Sequence, residues 1–270
     1  MEPLVSIGIP TYNAESFLKE TIQSALAQTH KNIEVIVVDD CSQDTTLEIL
    51  REIQDSRLRV HINDVNQGPS VTWNKTLELA QGEYFKLLCH DDVLYPDCIQ
   101  EQLQGFSDSS VVMVASNRDV LDAEGSQITC LRNIKRTRIE DGLSFFRSCL
   151  RRGGNLIGEP HAVLVKIGPL REHQVRFGKD FFVIDIDFYA KCLAIGKVSL
   201  IDKTLSAFRV SDESASVKLA SKQLSLLKRF VTELRADKKF KISYFDHLCF
   251  IVTATSRNIL KLVFYKLFVR

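Results

Sequence analysis

Paired cysteines are missing from this chain. Its seven cysteines, at positions 41, 89, 98, 130, 149, 192 and 249, are scattered, odd in number and form no CxxC motif. That argues against a zinc site or a disulfide framework and for a reducing compartment. Net charge is nearly missing too: 35 Lys and Arg stand against 34 Asp and Glu, so no broad basic surface for nucleic acid is expected. A charged ligand must then be met by a local site. Met1-Glu2-Pro3 leads into a strand pattern with no basic region and apolar run, so no secretory signal is expected. No internal repeat or low-complexity segment is present. The apolar stretch from Phe245 to Phe268 is broken by Arg257, Asn258, Lys261 and Lys266, which argues against a spanning helix. What remains is a 270-residue chain, 45% hydrophobic, that can bury a full core.

The most informative stretch runs from Phe85 through Lys86, Leu87, Leu88, Cys89 and His90 to Asp91 and Asp92, an apolar strand ending in two adjacent carboxylates. Adjacent acids repel, so the pair makes most sense where a cation or a polyol neutralises it. A helix-capping turn before Pro96 is the plain alternative. Earlier in the chain Val5, Ile7 and Ile9 alternate as a first strand stopped by Pro10, and Thr11-Tyr12-Asn13 makes a polar turn. Leu18, Ile22, Ala25 and Leu26 give the next helix its apolar face. The β-branched run Ile33 to Val38 reads as a strand covered on both faces, and it too ends in a pair of acids, Asp39 and Asp40. Asp44, with Thr45 and Glu48 at capping-box spacing, opens a second helix. Leu58 to Ile62 is a third strand, Asn63 to Pro69 a polar loop, Ser70 to Ala80 a helix and Tyr84 to Leu88 a strand.

Three strand-helix units in succession predict a parallel sheet with right-handed crossovers. Ligands of such sheets sit beyond the carboxyl ends of the strands. Thr11 to Asn13, Asp39 with Asp40, Asn66 to Gly68, and Asp91 with Asp92 all fall on that rim. Further on, the pattern predicts a helix opened by Pro96, a strand from Val111 to Ala115, a hairpin turn at Asp122 to Gly125 and a helix from Ile139 to Leu150. A loop through Gly153 to His161 follows, then a strand over 162–167 and a helix over 184–195. Two short strands are expected around Asp202-Lys203. The last segment is helical and basic. Leu260, Val263, Phe264, Leu267 and Phe268, with Lys261, Lys266 and Arg270, fit either an interfacial helix or a face packed on the core or a second subunit.

The order VSIGIPTYN, VIVVDDCSQDTT, NQGPSVTWN, GEYFKLLCHDD, DIDFYAK and AFRVSDESAS resembles the family 2 glycosyltransferases of the GT-A fold over about residues 4–216. The resemblance implies an α/β fold with a mostly parallel central sheet flanked by helices. It also implies a nucleotide-binding half over about 1–115, an acceptor half over about 116–216, and a C-terminal helical extension over 217–270. It implies an inverting transfer from a nucleotide-diphosphate sugar, uridine or thymidine being favoured because a carboxylate at Asp40 suits an imide N–H. Pro10, Thr11 and Tyr12 would flank the base, with Asn66 and Gly68 forming the loop that approaches the nucleotide.

By the same resemblance Asp91, the last acid of the family's DxD pattern, would hold Mg²⁺ or Mn²⁺ against the diphosphate, with Asp92 as a second ligand or as an orienting group. His90 would lie on the donor side, and Cys89 stands where the first acid of that pattern is usual. Asp185 matches the second acid of the family's Glu-Asp motif and would be the base, Ile184 replacing the glutamate and Asp187 competing for the role. Arg209 would meet phosphate, Ser211 replacing the histidine of the family's RxH segment with Asp212 nearby. Glu159, Pro160 and His161 would line the acceptor groove. The acceptor would be a glycan or lipid-linked precursor of a cell-surface polymer, used in the cytoplasm or at the inner face of the membrane. The family's QxxRW segment is absent, which favours one sugar per encounter. A sugar-nucleotide-binding scaffold that has lost catalysis is the alternative, supported by Cys89, Ile184 and Ser211.

Overall fold

The computed structural model describes residues 2–210 and 220–268. Strand β1 (Val5–Thr11), helix α1 (Leu18–Leu26), β2 (Ile33–Asp39), α2 (Thr46–Glu52), β3 (Leu58–Ile62), α3 (Pro69–Leu79) and β4 (Tyr84–Leu87) make the alternating first half. A two-residue strand β5 (Val93–Leu94), helix α4 (Cys98–Gln104), and strands β6 (Val111–Leu121), β7 (Gln127–Leu131) and β8 (Arg138–Asp141) come next. Then follow α5 (Gly142–Arg151), β9 (Val163–Lys166), α6 (Ile167–Glu172), α7 (Ile184–Leu193) and the long β10 (Lys197–Arg209). Helices α8 (Ala220–Ala236) and α9 (Tyr244–Phe268) close the described chain.

Among the described residues the strands form one ten-stranded sheet in the order β3-β2-β1-β4-β9-β6-β10-β5, with β7 on β6 and β8 on β10. Pairing is parallel from β3 to β4 and between β6 and β10, whereas β9 runs antiparallel to both β4 and β6. The β-branched run of β2 is buried at every position, as a strand covered on both faces must be.

Several boundaries differ from the sequence reading, each for a non-local reason. The stretch before α5 is extended, not helical, because Arg138–Asp141 pairs with Lys197–Leu200. The helix starts at Gly142, with Asp141 accepting from Ser144 N at 2.9 Å. The two short strands expected around Asp202-Lys203 are one strand with register shifts there. The capping box at Thr45 does not form: Thr45 Oγ1 donates to Glu15 at 2.7 Å, and Asp44 accepts from Thr46 N at 3.0 Å.

The core of the second half is continuous with the C-terminal helices. Phe146, Cys149 and Leu150 of α5, Phe188 and Tyr189 of α7, Phe230, Val231 and Leu234 of α8, and Phe250 and Ala254 of α9 share one buried cluster. The inner face of α9 therefore packs on the core, and burying a ring such as Phe250 is worth about 2–3 kcal/mol. Gly153 turns at φ +85°, and a Cβ there would meet the backbone of Thr253 at 2.6 Å, so α9 lies directly on the loop after α5. The expectations for Ser211 and Asp212, and for side chains from Leu260 onward, lie outside what is described.

Candidate active site

The carboxyl ends of β1 and β2 meet through Asp40, whose N–H donates to Thr11 O at 2.8 Å. The Asp40 side chain is buried and accepts three hydrogen bonds: Asn63 Nδ2 at 2.8 Å and Gln67 N at 2.9 Å on Oδ1, and Gly68 N at 2.8 Å on Oδ2. A carboxylate offers about four lone-pair directions, so one on Oδ2 remains for an outside donor. Asp40 thus gathers the 63–68 loop around itself. Gly68 has φ +83°, and a Cβ would meet no protein atom, so glycine serves the left-handed turn while leaving open space in front of it. Asn63 was not read from the sequence; its signal is position alone, one residue past β3. Asn66 and Tyr12 are exposed beside this turn, while Pro10 and Thr11 are buried. Asp39 is turned the other way, accepting from Ser42 N at 3.0 Å and from Ser42 Oγ.

After β4 the second acidic pair divides similarly. Asp92 is buried, with Oδ1 accepting from Arg209 N at 3.2 Å and Oδ2 lying 3.7 Å from His161 Nε2. Burial, then the neighbouring Asp91 charge, pushes its carboxyl well above the usual range. Among the described residues nothing hydrogen-bonds the Asp91 carboxylate, and Asp91 is half-buried at the rim. His90, also half-buried, anchors only through its backbone, its carbonyl accepting from Thr21 Oγ1 at 2.9 Å.

Arg209, expected to meet phosphate, has its guanidinium engaged by protein acceptors. Nε donates to Asp91 O at 3.1 Å, Nη1 to the carbonyls of Asp122 and Ala123, and Nη2 to Glu20 at 2.6 Å, while Phe17 stacks beneath at 4.7 Å. It works as a clamp on the Asp91-Asp92 turn. His161 likewise departs from an open groove. Its ring is fully buried, neither nitrogen has a hydrogen-bond partner among the described residues, and burial pushes its pKa down to about 3. Pro160 is buried with it, in the short turn Pro160–Ala162. Lys86, inside an otherwise apolar strand, holds that turn by donating to His161 O at 2.6 Å and Val163 O at 2.9 Å.

Glu159 is half-buried and pairs with Arg118 of β6. Burial raises its carboxyl, but the Arg118 charge outweighs this and holds it below the ordinary value. Asp185, at the start of α7, accepts from Asn155 Nδ2 at 3.2 Å and from Ile186 N at 2.8 Å. Asn155 was missed by sequence reasoning; it lies in the glycine-flanked loop, where its Oδ1 also accepts from Ile157 N and Gly158 N at 3.0 Å. Asp187 pairs with Lys191 one turn along and is thereby separated from Asp185. Asn74 ties α3 to Phe177, its amide N–H donating to Phe177 O at 3.0 Å and its amide oxygen accepting from Phe177 N at 2.9 Å.

These groups converge on Cys89. Burial, then the carboxylates of Asp92, Asp91, Asp185 and Glu159, push its thiol well above the usual value. Among the described residues no three His, Cys, Asp or Glu side chains form a cage for a metal ion. One unengaged carboxylate fits instead a small hard cation that takes its other ligands from phosphate oxygens and water, as Mg²⁺ and Mn²⁺ do. All seven cysteines are free thiols.

Known proteins resemble this chain in sequence and in fold. A putative teichuronic acid biosynthesis glycosyltransferase of Bacillus subtilis is 36% identical over 129 residues, covering 47% of this chain and 51% of that one. The chain spans about half the length of the curated relatives it matches first. Among solved structures, TarS 1-349 of S. aureus in complex with UDP-GlcNAc superposes with TM-score 0.66 at 17% identity, over 94% of this chain and 80% of that one. A mannosyltransferase of Pyrobaculum calidifontis in complex with GDP-Man and Mn²⁺ gives 0.66 at 19% identity, over 95% and 74%. These likenesses establish the GT-A type of fold. The sequence profile of Glycosyl transferase family 2 matches residues 6–173, more than half of the sequence, and the chain belongs to that family.

Proposed function

We propose that this protein transfers a sugar from a nucleoside-diphosphate sugar to an acceptor hydroxyl with inversion at the anomeric carbon. The observation that supports this reading is that the charges of Asp91, at the end of the first-half rim, and of Asp185, at the start of α7, both act on the Cys89 thiol. On this reading Asp91 would meet the leaving diphosphate and Asp185 the attacking hydroxyl. Asp185 would take the hydroxyl proton as the acceptor oxygen attacks the anomeric carbon and the bond to the diphosphate breaks opposite to it. Inversion would follow from attack opposite the departing diphosphate. Asn155 would hold the base carboxylate in place. Asp91 would share Mg²⁺ or Mn²⁺ with the diphosphate, the cation offsetting charge on the leaving group; Asp92 would serve by fixing the turn.

The remaining lone pair of Asp40, beside Thr11 and Tyr12, suits the imide N–H of uracil or thymine, which supports a UDP- or dTDP-sugar donor. The names of relatives acting on surface polymers support a glycan or lipid-linked acceptor, used in the cytoplasm. Asp185→Asn should cut transfer by about 10²–10⁴-fold while leaving donor affinity within about threefold, read by single-turnover transfer and by calorimetry. Near-normal transfer by that variant would remove Asp185 from the role of base.

A further inference from the structure

Helix α9 turns two different faces outward and inward. Asp246, Phe250 and Ala254, four residues apart, are buried against the core. On the opposite side Tyr244, Phe245, Leu248 and Val252 are 66%, 62%, 49% and 60% exposed. Their spacing places three of them, at 245, 248 and 252, in one stripe along the helix. Four large apolar side chains left in water on one helix edge are uncommon unless something covers them.

The surroundings of the stripe are basic. Arg235 lies over the Tyr244 ring at 5.0 Å and Arg151 over the Phe245 ring at 5.6 Å. Lys238, Lys239 and Lys241 are exposed in the turn just before α9, and Arg257 is exposed one turn beyond Val252. Of the acids nearby, Asp246 is buried and paired with Arg151, and Asp237 caps the turn by accepting from Lys239 N at 3.0 Å. Residues 220–270 carry eleven Lys and Arg against three Asp and Glu, whereas residues 1–219 carry 24 against 31. The near-neutral total thus hides two regions of opposite sign.

We propose that this face of α9 docks on the surface of an anionic lipid bilayer, Tyr244, Phe245, Leu248 and Val252 entering the headgroup region and the surrounding Lys and Arg meeting lipid phosphates. Charge selects this occupant over a second copy of the chain, because pairing two such faces would bring like charges together. The acidic remainder is repelled by the same surface, which fixes the orientation of the whole chain. Among the described residues no helix is long and apolar enough to cross a membrane, so contact is at the surface. Docking also has a route to the site. Thr253 Oγ1 donates to Arg151 O at 3.2 Å and Arg257 Nη1 to Arg152 O at 3.1 Å, fastening α9 to the loop whose Asn155 holds Asp185.

The test is flotation of the full chain with vesicles of phosphatidylcholine alone and of phosphatidylcholine with about 30% phosphatidylglycerol, at low and high salt. The bound fraction should rise at least about tenfold with phosphatidylglycerol and fall at high salt. Phe245→Glu with Leu248→Glu, and separately Lys238→Glu with Lys239→Glu, should each abolish that gain. All four positions are exposed, so the melting temperature and nucleotide-diphosphate binding should stay unchanged. Equal binding to both vesicle types, or none, would overturn the proposal. A concentration-dependent dimer dispersed by Phe245→Glu with Leu248→Glu would overturn it in favour of a second copy. Because nucleotide binding is measured alongside, loss of lipid binding and failure of the donor-site reading are told apart.

Discussion

The chain has two pairs of adjacent aspartates just beyond parallel strands, and they divide their labour in opposite order. After β2 the first acid, Asp39, is spent on Ser42, and the second, Asp40, faces the 63–68 loop. After β4 it is the second acid, Asp92, that turns inward to Arg209 N, and the first, Asp91, whose carboxylate stands at the rim with no hydrogen bond among the described residues. Side chains alternate along an extended segment, so the two acids of each pair face different partners. Which one faces in is decided by where the partner lies, three residues away for Asp39 and on a strand 117 residues away for Asp92. An acid pair in sequence is thus one structural and one available carboxylate.

Substitutions sharpen this contrast, and the largest effect is expected at Asp91. Asp91→Asn should lower metal-stimulated transfer by about 10²–10³-fold, a scale typical of losing one group that stabilises leaving-group charge. Thermal stability should barely change, since no hydrogen bond is lost. Asp40→Ala comes next and should act on both properties: donor affinity falls by about tenfold or more, and stability by about 1–3 kcal/mol, because Asn63, Gln67 and Gly68 lose their common acceptor. Denaturant unfolding and calorimetry check the two halves separately.

The smallest effect, of opposite sign, is expected for Asp92→Asn. Its folded carboxyl titrates above the unfolded value of 3.8, so its contribution to stability is complete below pH 3.8 and is lost as pH rises through the folded pKa. An amide keeps the shape of the protonated acid and its acceptor for Arg209 N. The variant should therefore match the parent at low pH and exceed it by up to about 1 kcal/mol at pH 8. A variant that is less stable than the parent at pH 8 would mean that Asp92 is held ionised.

The first half of the fold was legible because its signals are local: alternation in β1, the β-branched run of β2, and the acids and glycine at strand ends. The second half hid its boundaries in distant pairings. Ile139–Asp141 reads as helix until β10 pairs with it, and nothing local announces that Lys86 finds its acceptors at His161 O and Val163 O. The protein partners of Arg209 were hidden for a related reason. An arginine near the rim suggests phosphate, but its acceptors come from α1, the Asp91 turn and the 122–123 hairpin, none adjacent to it in sequence. Asp185 could be picked out by motif, whereas Asn155, which holds it, carries no motif at all. Packing the start of α7 against the loop after α5 is what makes that asparagine matter.

The central claim is that Asp91, and not Asp92, shares a divalent cation with the donor diphosphate. The most direct test is calorimetric titration of the parent, Asp91→Asn and Asp92→Asn with UDP, dTDP and GDP, each with and without Mn²⁺. One pyrimidine diphosphate should bind the parent about tenfold or more tightly with Mn²⁺ than without. Asp92→Asn should keep that gain and Asp91→Asn should lose it. A gain that survives in Asp91→Asn and vanishes in Asp92→Asn would contradict the account.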